Sequence, residues 1–276
     1  MPRSRSAVED HYARGQLLDA ILAALRDSGR DPEHLTPTDL APVDEFHIRG
    51  RHATVELAKR ANLTPGLHVL DVGCGLGGSA RYLASEMRCR VTGVDITQEY
   101  VDVANQLAAL VGLGDRIEFR RSSALELPFV DGAFDVAWTE HVQMNIEDKR
   151  AFYREIARVL APGGRLLFHD VFLAGDGPVH YPVPWAEDSS ISFLATPEAV
   201  RSLLEEMGFT AIDWEDKSRV SLDWFVAAAE KTKVSGPPRI GLHLLMGSTA
   251  RAKLENTIRN LREWRLAVIQ AVMQKA

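Results

Sequence analysis

Apolar residues recur along one helical face between positions 16 and 26, at Leu17, Leu18, Ile21, Leu22 and Leu25, which predicts an amphipathic helix. Pro37 and Pro42 break the pattern over residues 36–43, before a second helical run over about 49–61. After Pro65-Gly66 the period changes. Short apolar, β-branched runs at 68–72, 90–94, 117–119, 134–139 and 165–171 read as strands, and the runs at 79–87, 98–111 and 147–160 between them read as helices. Such alternation builds right-handed βαβ units and a parallel, doubly wound sheet. Gly112, Gly114 and the run Ala161-Pro162-Gly163-Gly164 punctuate helix ends. A later helix starts at Thr196-Pro197 and stops at Gly208. Residues 209–214 then read as a sixth strand and 265–273 as a seventh, leaving 216–263 as a mainly helical insertion. The expectation is an α/β protein with a seven-stranded, mostly parallel sheet. Its parts are a helical cap over 1–62, a core over 63–215, and an insertion plus last strand over 216–276.

Composition narrows the class. Hydrophobic residues at 46% and charged residues at 25% are those of a globular chain, which removes collagen-like and disordered readings. With 32 basic against 38 acidic residues the net charge is −6, which speaks against a nucleic-acid partner. Cys74 and Cys89 are too few for a disulfide framework or a zinc cluster, so no metal is expected and a reducing, cytoplasmic setting fits. The basic start Met-Pro-Arg-Ser-Arg-Ser runs straight into Glu9 and Asp10 without the apolar core of a signal peptide, and no apolar stretch of about 18 residues could span a bilayer. Nothing in the sequence sets an oligomeric state.

The stretch LHVLDVGCGLGGSARYL places a strand, a glycine loop and a helix in succession. Gly73, Gly75 and Gly78 satisfy the dinucleotide spacing G-x-G-x-x-G, so a nicotinamide oxidoreductase has to be weighed. Asp71 counts against it: a carboxylate two residues before the first glycine repels a pyrophosphate and attracts an ammonium or sulfonium. The implied ligand is a nucleoside with positive charge and no phosphate. Asp95 ends the second strand, and a carboxylate there suits a vicinal diol.

These residues resemble the class I S-adenosylmethionine-dependent methyltransferases, whose first motif is matched by Asp71, Gly73, Gly75 and Gly77, and whose ribose-binding acid is matched by Asp95. SSALELPFVDGAFDVAW and REIARVLAPGGRLLFHD follow in the family's order. The resemblance implies a Rossmann-like fold, S-adenosyl-L-methionine as cofactor with S-adenosyl-L-homocysteine as product, and a cofactor site that includes Ile96, Ser123, Ala124, Leu125 and Glu140. One departure stands out. The family usually has Gly-Asp-Ala where this chain has Ser122-Ser123-Ala124, so adenine recognition is expected to be weaker, carried by Ser123 and the N–H of Ala124 or Leu125.

Ligands of open α/β sheets lie at the carboxyl ends of the strands, which points to Thr139-Glu140-His141-Val142-Gln143-Met144-Asn145. His141 is the candidate base, and Gln143 and Asn145 are candidates for orienting an acceptor. Residues 42–50, with His47, precede the sheet where related enzymes fold a segment over the cofactor. The long loop 174–193 offers His180, Tyr181, Trp185 and Phe193. His169-Asp170 reads as a core histidine beside a turn carboxylate. SARYLA, ALELPF and TEHVQMN are most similar to the branch with sarcosine and dimethylglycine N-methyltransferases and quinone C-methyltransferases. The acceptor read from this is a small molecule, an amine or a natural product. C- or O-methylation of a quinone, phenol or lipid-like acceptor, and a cofactor-binding scaffold without turnover, stay open.

Overall fold

The strands are β1 (His68–Val72), β2 (Arg90–Asp95), β3 (Ile117–Arg121), β4 (Phe134–Glu140), β5 (Leu160–Leu173), β6 (Phe209–Asp216) and β7 (Leu266–Lys275). They pair in the order β3-β2-β1-β4-β5-β7-β6, with β7 antiparallel to both neighbours and the other pairings parallel. Chain order runs outward from β1 through β2 to β3, then returns to place β4 on β1's other side. Such a reversal opens a crevice at the carboxyl ends of β1 and β4. Asp71 of β1, Asp95 of β2 and Glu140 of β4 reach that rim.

The structure is a computed structural model and describes residues 6–236 and 238–276; most of the basic amino-terminal run, residues 1–5, lies outside it. Among the described residues the α-helices before β1 are α1 (Ala7–Tyr12), α2 (Leu17–Asp27), α3 (Pro37–Asp44) and α4 (Arg51–Arg60). Crossovers run through α5 (Gly78–Ser85), α6 (Gln98–Leu110), α7 (Lys149–Val159) and α8 (Pro197–Glu206), and α9 (Ser218–Ser235), α10 (His243–Met246) and α11 (Ala250–Arg262) lie between β6 and β7.

Strand alternation splits the core between the two faces of the sheet. Leu70, Val72, Phe168 and Ile269 bury with Phe152, Ile156 and Leu204 on one face, while Val69, Val91, Val136 and Val272 bury with Leu57, Leu83 and Ala104 on the other. The apolar stripe of α2 goes to neither. Leu17, Ile21 and Leu25 pack with Leu40, Val43, Leu76, Tyr100, Leu107 and Leu245, each leucine worth about 1.5–3 kcal/mol of burial. That third cluster fastens the amino-terminal helices over the crevice.

Three local readings need correction. Residues 36–43 were expected to break and instead carry α3. Pro37 takes the first helical turn, where its missing N–H costs nothing, Thr36 and Asp39 form a capping box, and Pro42 removes only one hydrogen bond near the end of a short helix. The turn signal at 161–164 falls within β5, where Leu160 pairs with Phe134 across a register shift. Helix α1 has no counterpart in the sequence reading, although Ser6 and Glu9 carry a start signal: the Ser6 hydroxyl accepts from the Glu9 N–H.

Candidate functional site

A cavity of about 580 Å³ lies over the carboxyl ends of β1, β2 and β4. Its floor is the glycine loop. Gly73 and Cys74 N–H both donate to the Val94 carbonyl (2.8 and 3.0 Å), and Gly75 N–H donates to Asp95 Oδ2 (3.0 Å), which holds the loop against β2. Asp95 Oδ1 accepts from Thr97 N–H (2.8 Å), so both carboxylate oxygens are oriented by backbone. Gly73, Gly75 and Gly77 all have positive φ. A Cβ on Gly73 would sit 2.3 Å from Val142 Cγ2, whereas one on Gly75 would meet nothing within 4 Å, leaving open space for a ligand against that backbone.

Asp71 is 3% exposed, lines the cavity, and its Oδ2 has no hydrogen-bond partner among the described residues. Burial, then the charges of Glu140, Asp95 and Glu45, pushes its carboxyl well above the ordinary range. Beside it Glu140 accepts from Trp138 Nε1 (2.8 Å) and from Ser79 Oγ, while its Oε1 is also buried without a hydrogen bond among the described residues. Two under-partnered buried carboxylates next to an open glycine fit a cationic nucleoside and repel a pyrophosphate.

The cavity wall also takes in Ile96, Ser122, Ser123, Ala124 and Leu125. Ser123 Oγ accepts the Leu125 N–H (3.2 Å), which leaves the Ala124 N–H as the backbone donor expected for the base. His47, His141, Asn145, Trp185 and Phe193 line the same cavity. Four proposed residues do not. Gly77 faces away, because a Cβ there would strike the Phe119 ring at 2.3 Å. Gln143 is buried with its amide nitrogen on the Val171 carbonyl (2.8 Å). His180 is turned to Glu263 (2.9 Å) and tied by its backbone to Asn260 (2.8 and 2.9 Å), and Tyr181 lies along a separate shallow groove. A loop alternates its side chains between two surfaces, and only Trp185, Phe193 and Pro184 turn inward. Asn145 reaches the cavity with its amide committed: it donates to the carbonyls of Trp185 (3.0 Å) and Ile191 (2.8 Å) and accepts from Tyr12 (2.9 Å).

Sequence reasoning missed the contribution of the amino-terminal helix. Ser6, Val8 and Tyr12 line the cavity, and Glu9, 4% exposed, holds α1 down through both its oxygens on Arg121 (3.0 Å each). Glu45, Thr54 and Ser79, which surround His47 and Glu140, were also missed. His169 and Asp170 are fully buried, as expected. His169 Nε2 bonds the Ile48 carbonyl (2.9 Å), and Asp170 accepts from Val142, Gln143 and Val171 N–H (3.0, 3.0 and 2.8 Å).

Comparison with known proteins agrees with this geometry. A family profile for a methyltransferase domain matches residues 70–168. The methyltransferase GfsG of Streptomyces halstedii is 30% identical over 199 residues, covering 72% of this chain and 69% of that protein. The chain belongs to the class I S-adenosylmethionine-dependent methyltransferases. A sarcosine/dimethylglycine N-methyltransferase of Halorhodospira halochloris is 32% identical over 154 residues, 56% of this chain and 55% of that one. Among solved structures, the [4+2]-cyclase SpnF aligns with a TM-score of 0.67 at 25% identity, over 100% of this chain and 98% of its own. A phosphoethanolamine N-methyltransferase of Haemonchus contortus, complexed with S-adenosylhomocysteine, aligns with a TM-score of 0.75 at 19% identity, over 100% of this chain and 61% of its own.

In this methyltransferase the glycines divide their labour, and substitution separates them. Gly77→Ala is expected to lower the melting temperature through the Phe119 clash. Gly75→Ala should cost only the left-handed backbone strain, about 1–2 kcal/mol, while weakening S-adenosylhomocysteine binding. Thermal unfolding with and without S-adenosylhomocysteine checks both; equal behaviour of the two variants would reject the division.

Proposed function

We propose that this enzyme methylates a small, largely apolar acceptor that carries no negative charge, at an amine nitrogen or a hydroxyl oxygen. The observation that carries this is the cavity wall. Val8, Tyr12, Phe46, Met144, Trp185 and Phe193 give an apolar and aromatic surface, the ionisable groups beside it are carboxylates and histidines, and no Lys or Arg among the described residues lines it. A phosphate or carboxylate on the acceptor would find no Lys or Arg countercharge on that wall and would be buried beside a cluster of carboxylates.

Bound S-adenosylmethionine supplies an electrophilic methyl group on a sulfonium. Asp95 takes the ribose hydroxyls, Asp71 and Glu140 offset the positive charge, and Ile96, Ser123, Ala124 and Leu125 meet the base. His141, with Asn145 and Trp185, faces the acceptor. Alignment of acceptor and methyl group within a closed cavity supplies much of the acceleration. Residues 1–62 act as the cap that closes it, over the core 63–215, with 216–276 completing the same unit. Two buried free thiols, Cys74 and Cys89, support a reducing cytoplasmic setting.

Methyl-deuterated S-adenosylmethionine with a panel of amines, phenols and matched carboxylates or phosphates, read by mass spectrometry, tests the acceptor class. Label confined to uncharged or cationic acceptors is expected; preferential transfer to the anionic members would overturn it. Burial, then His169 and His47, holds the His141 imidazole well below its ordinary value, so it stays neutral between pH 6 and 8. His141→Ala is therefore expected to raise KM while leaving the pH dependence of the rate over that range in place. A flattened profile would make His141 the titrating group.

A further inference from the structure

Three imidazoles meet under the acceptor end of the cavity. Ring centroids of His47 and His141 lie 6.1 Å apart, those of His47 and His169 6.0 Å, and those of His141 and His169 5.4 Å. The segment 47–50 sets the proton on each of them, because backbone groups have only one role available: a carbonyl accepts and an amide N–H donates. The Ile48 carbonyl takes a hydrogen from His169 Nε2 (2.9 Å), and the Gly50 carbonyl takes one from His47 Nε2 (3.1 Å). The Ile48 N–H points the other way, donating to His141 Nε2 (3.4 Å). Neutral His47 and His169 therefore carry their hydrogen on Nε2, and neutral His141 carries it on Nδ1. Arg49 and Gly50, both at positive φ (72° and 48°), make the turn that aims these peptide groups.

His47 and His141 thus present opposite faces to the cavity they share. Among the described residues neither Nδ1 makes a hydrogen bond, and neither is among the buried atoms left without a partner, so both are accessible on rings that line the cavity. The His141 Nδ1 is a donor; the His47 Nδ1 is a lone pair. Behind His47, Nε2 is 3.5 Å from Glu45 Oε2 and 3.4 Å from Glu140 Oε1, two carboxylates that are 1% and 5% exposed, and 3.1 Å from Thr54 Oγ1, which itself donates to Glu45 (2.8 Å). Buried carboxylates behind the protonated nitrogen of an imidazole orient the ring and stabilise the imidazolium when the other nitrogen takes a proton.

We propose that His47, not His141, accepts the proton of the methyl acceptor, and that His141 donates a hydrogen bond from Nδ1 to the same acceptor and positions it. The assignment rests on reading this cavity as the acceptor site. In the step, the acceptor's X–H proton passes to His47 Nδ1 and the X electron pair bonds the methyl carbon. The carbon–sulfur bond breaks with its pair on sulfur, leaving a neutral thioether, and the imidazolium returns its proton to solvent when the cavity opens. The charged and titratable groups around His47 are Glu45 and Arg49 on its own segment, Arg51 on α4 in an ion pair with Glu45, Glu140 and His141 at the end of β4, and His169 on β5; Glu56 pairs with Arg49, and Asp71 on β1 lies near Glu45 and Glu140. Its two ring neighbours are held low by burial, His169 down at about 3, and the two nearby guanidiniums are paired, Arg49 with Glu56 and Arg51 with Glu45.

Two arms test the proposal. Nitrogen NMR of the full-length protein labelled at histidine, with S-adenosylhomocysteine bound, needs no acceptor; signals are assigned by their loss in His47→Gln and His141→Gln. The expected result is Nε2–H for His47 and Nδ1–H for His141; an Nδ1–H tautomer at His47 would overturn the proposal. Kinetically, His47→Gln keeps a side-chain N–H for the Gly50 carbonyl, and is expected to hold S-adenosylhomocysteine affinity within about threefold. It should lower kcat by about 10²–10⁴-fold and remove the acid limb of the pH–rate profile, whereas His141→Gln mainly raises KM and keeps that limb. A kcat within threefold of wild type in His47→Gln, or a surviving acid limb, refutes the base assignment. If the wild-type enzyme methylates only anionic acceptors, the acceptor reading of the previous section fails, while the NMR arm still decides the His47 tautomer.

Discussion

Arg81→Met is expected to destabilise the protein by about 3–5 kcal/mol, the cost of leaving one member of a buried ion pair alone. Arg81 on α5 and Asp44 at the end of α3 are both fully buried at the side chain, and Arg81 Nη2 donates to Asp44 Oδ2. Among the described residues Asp44 Oδ1 and Arg81 Nε and Nη1 have no hydrogen-bond partner. Burial pushes the Asp44 carboxyl up, with the guanidinium as the main pull in the other direction. Without Arg81 that pull is gone, so the folded-state value climbs further above the unfolded one. The sign follows. A carboxyl raised by folding favours the folded state below its unfolded value and loses that contribution as pH rises through its folded value, so the Arg81→Met penalty grows from pH 4 to pH 7.5. Urea unfolding at several pH values measures it. Asp44→Asn/Arg81→Met, which removes both charges, is expected to recover a large part of the loss; a single variant within about 0.5 kcal/mol of wild type would show that the pair contributes nothing. The pair also has a functional consequence, because Asp44 leads directly into the segment that carries Glu45 and His47.

Asp95→Ala should weaken S-adenosylhomocysteine binding at least about 100-fold, from the loss of two charge-assisted hydrogen bonds to a vicinal diol at roughly 1.5–3 kcal/mol each. The carboxylate is held by Gly75 and Thr97 N–H, so its remaining lone pairs face the cavity without freedom to turn elsewhere. Asp95→Asn keeps the shape and loses the charge, and is expected to fall between the two. Titration calorimetry separates them, and Asp95→Ala binding within threefold of wild type would remove Asp95 from the ribose role. Part of the loss in the alanine variant comes from the glycine loop itself, since Gly75 N–H loses its acceptor.

How much of this was legible in the sequence depended on whether the signal was local. Strands β1 to β7 were readable because each is an apolar run bounded by turn residues, and the glycine loop with Asp71 and Asp95 because its chemistry is carried by neighbours in sequence. Residues 36–43 misled for an opposite reason: two prolines look like breakers, yet one sits at a helix start and the other near its end, where the backbone hydrogen bonds they cannot make are few. The sequence shows the loop 174–193 as long and aromatic, but which of its side chains turn inward is set by how it crosses the strand ends. His180 and Tyr181 therefore fell outside the cavity, while Trp185 and Phe193 fell inside.

The sequence by itself determined the fold class and the cofactor, because hydrophobic period and short motifs are properties of neighbouring residues. Only the tertiary structure decided the histidines. His47, His141 and His169 are far apart in the chain, and which nitrogen of each holds a proton depends on the peptide groups of residues 48 and 50, brought beneath the cavity by packing that no local pattern encodes.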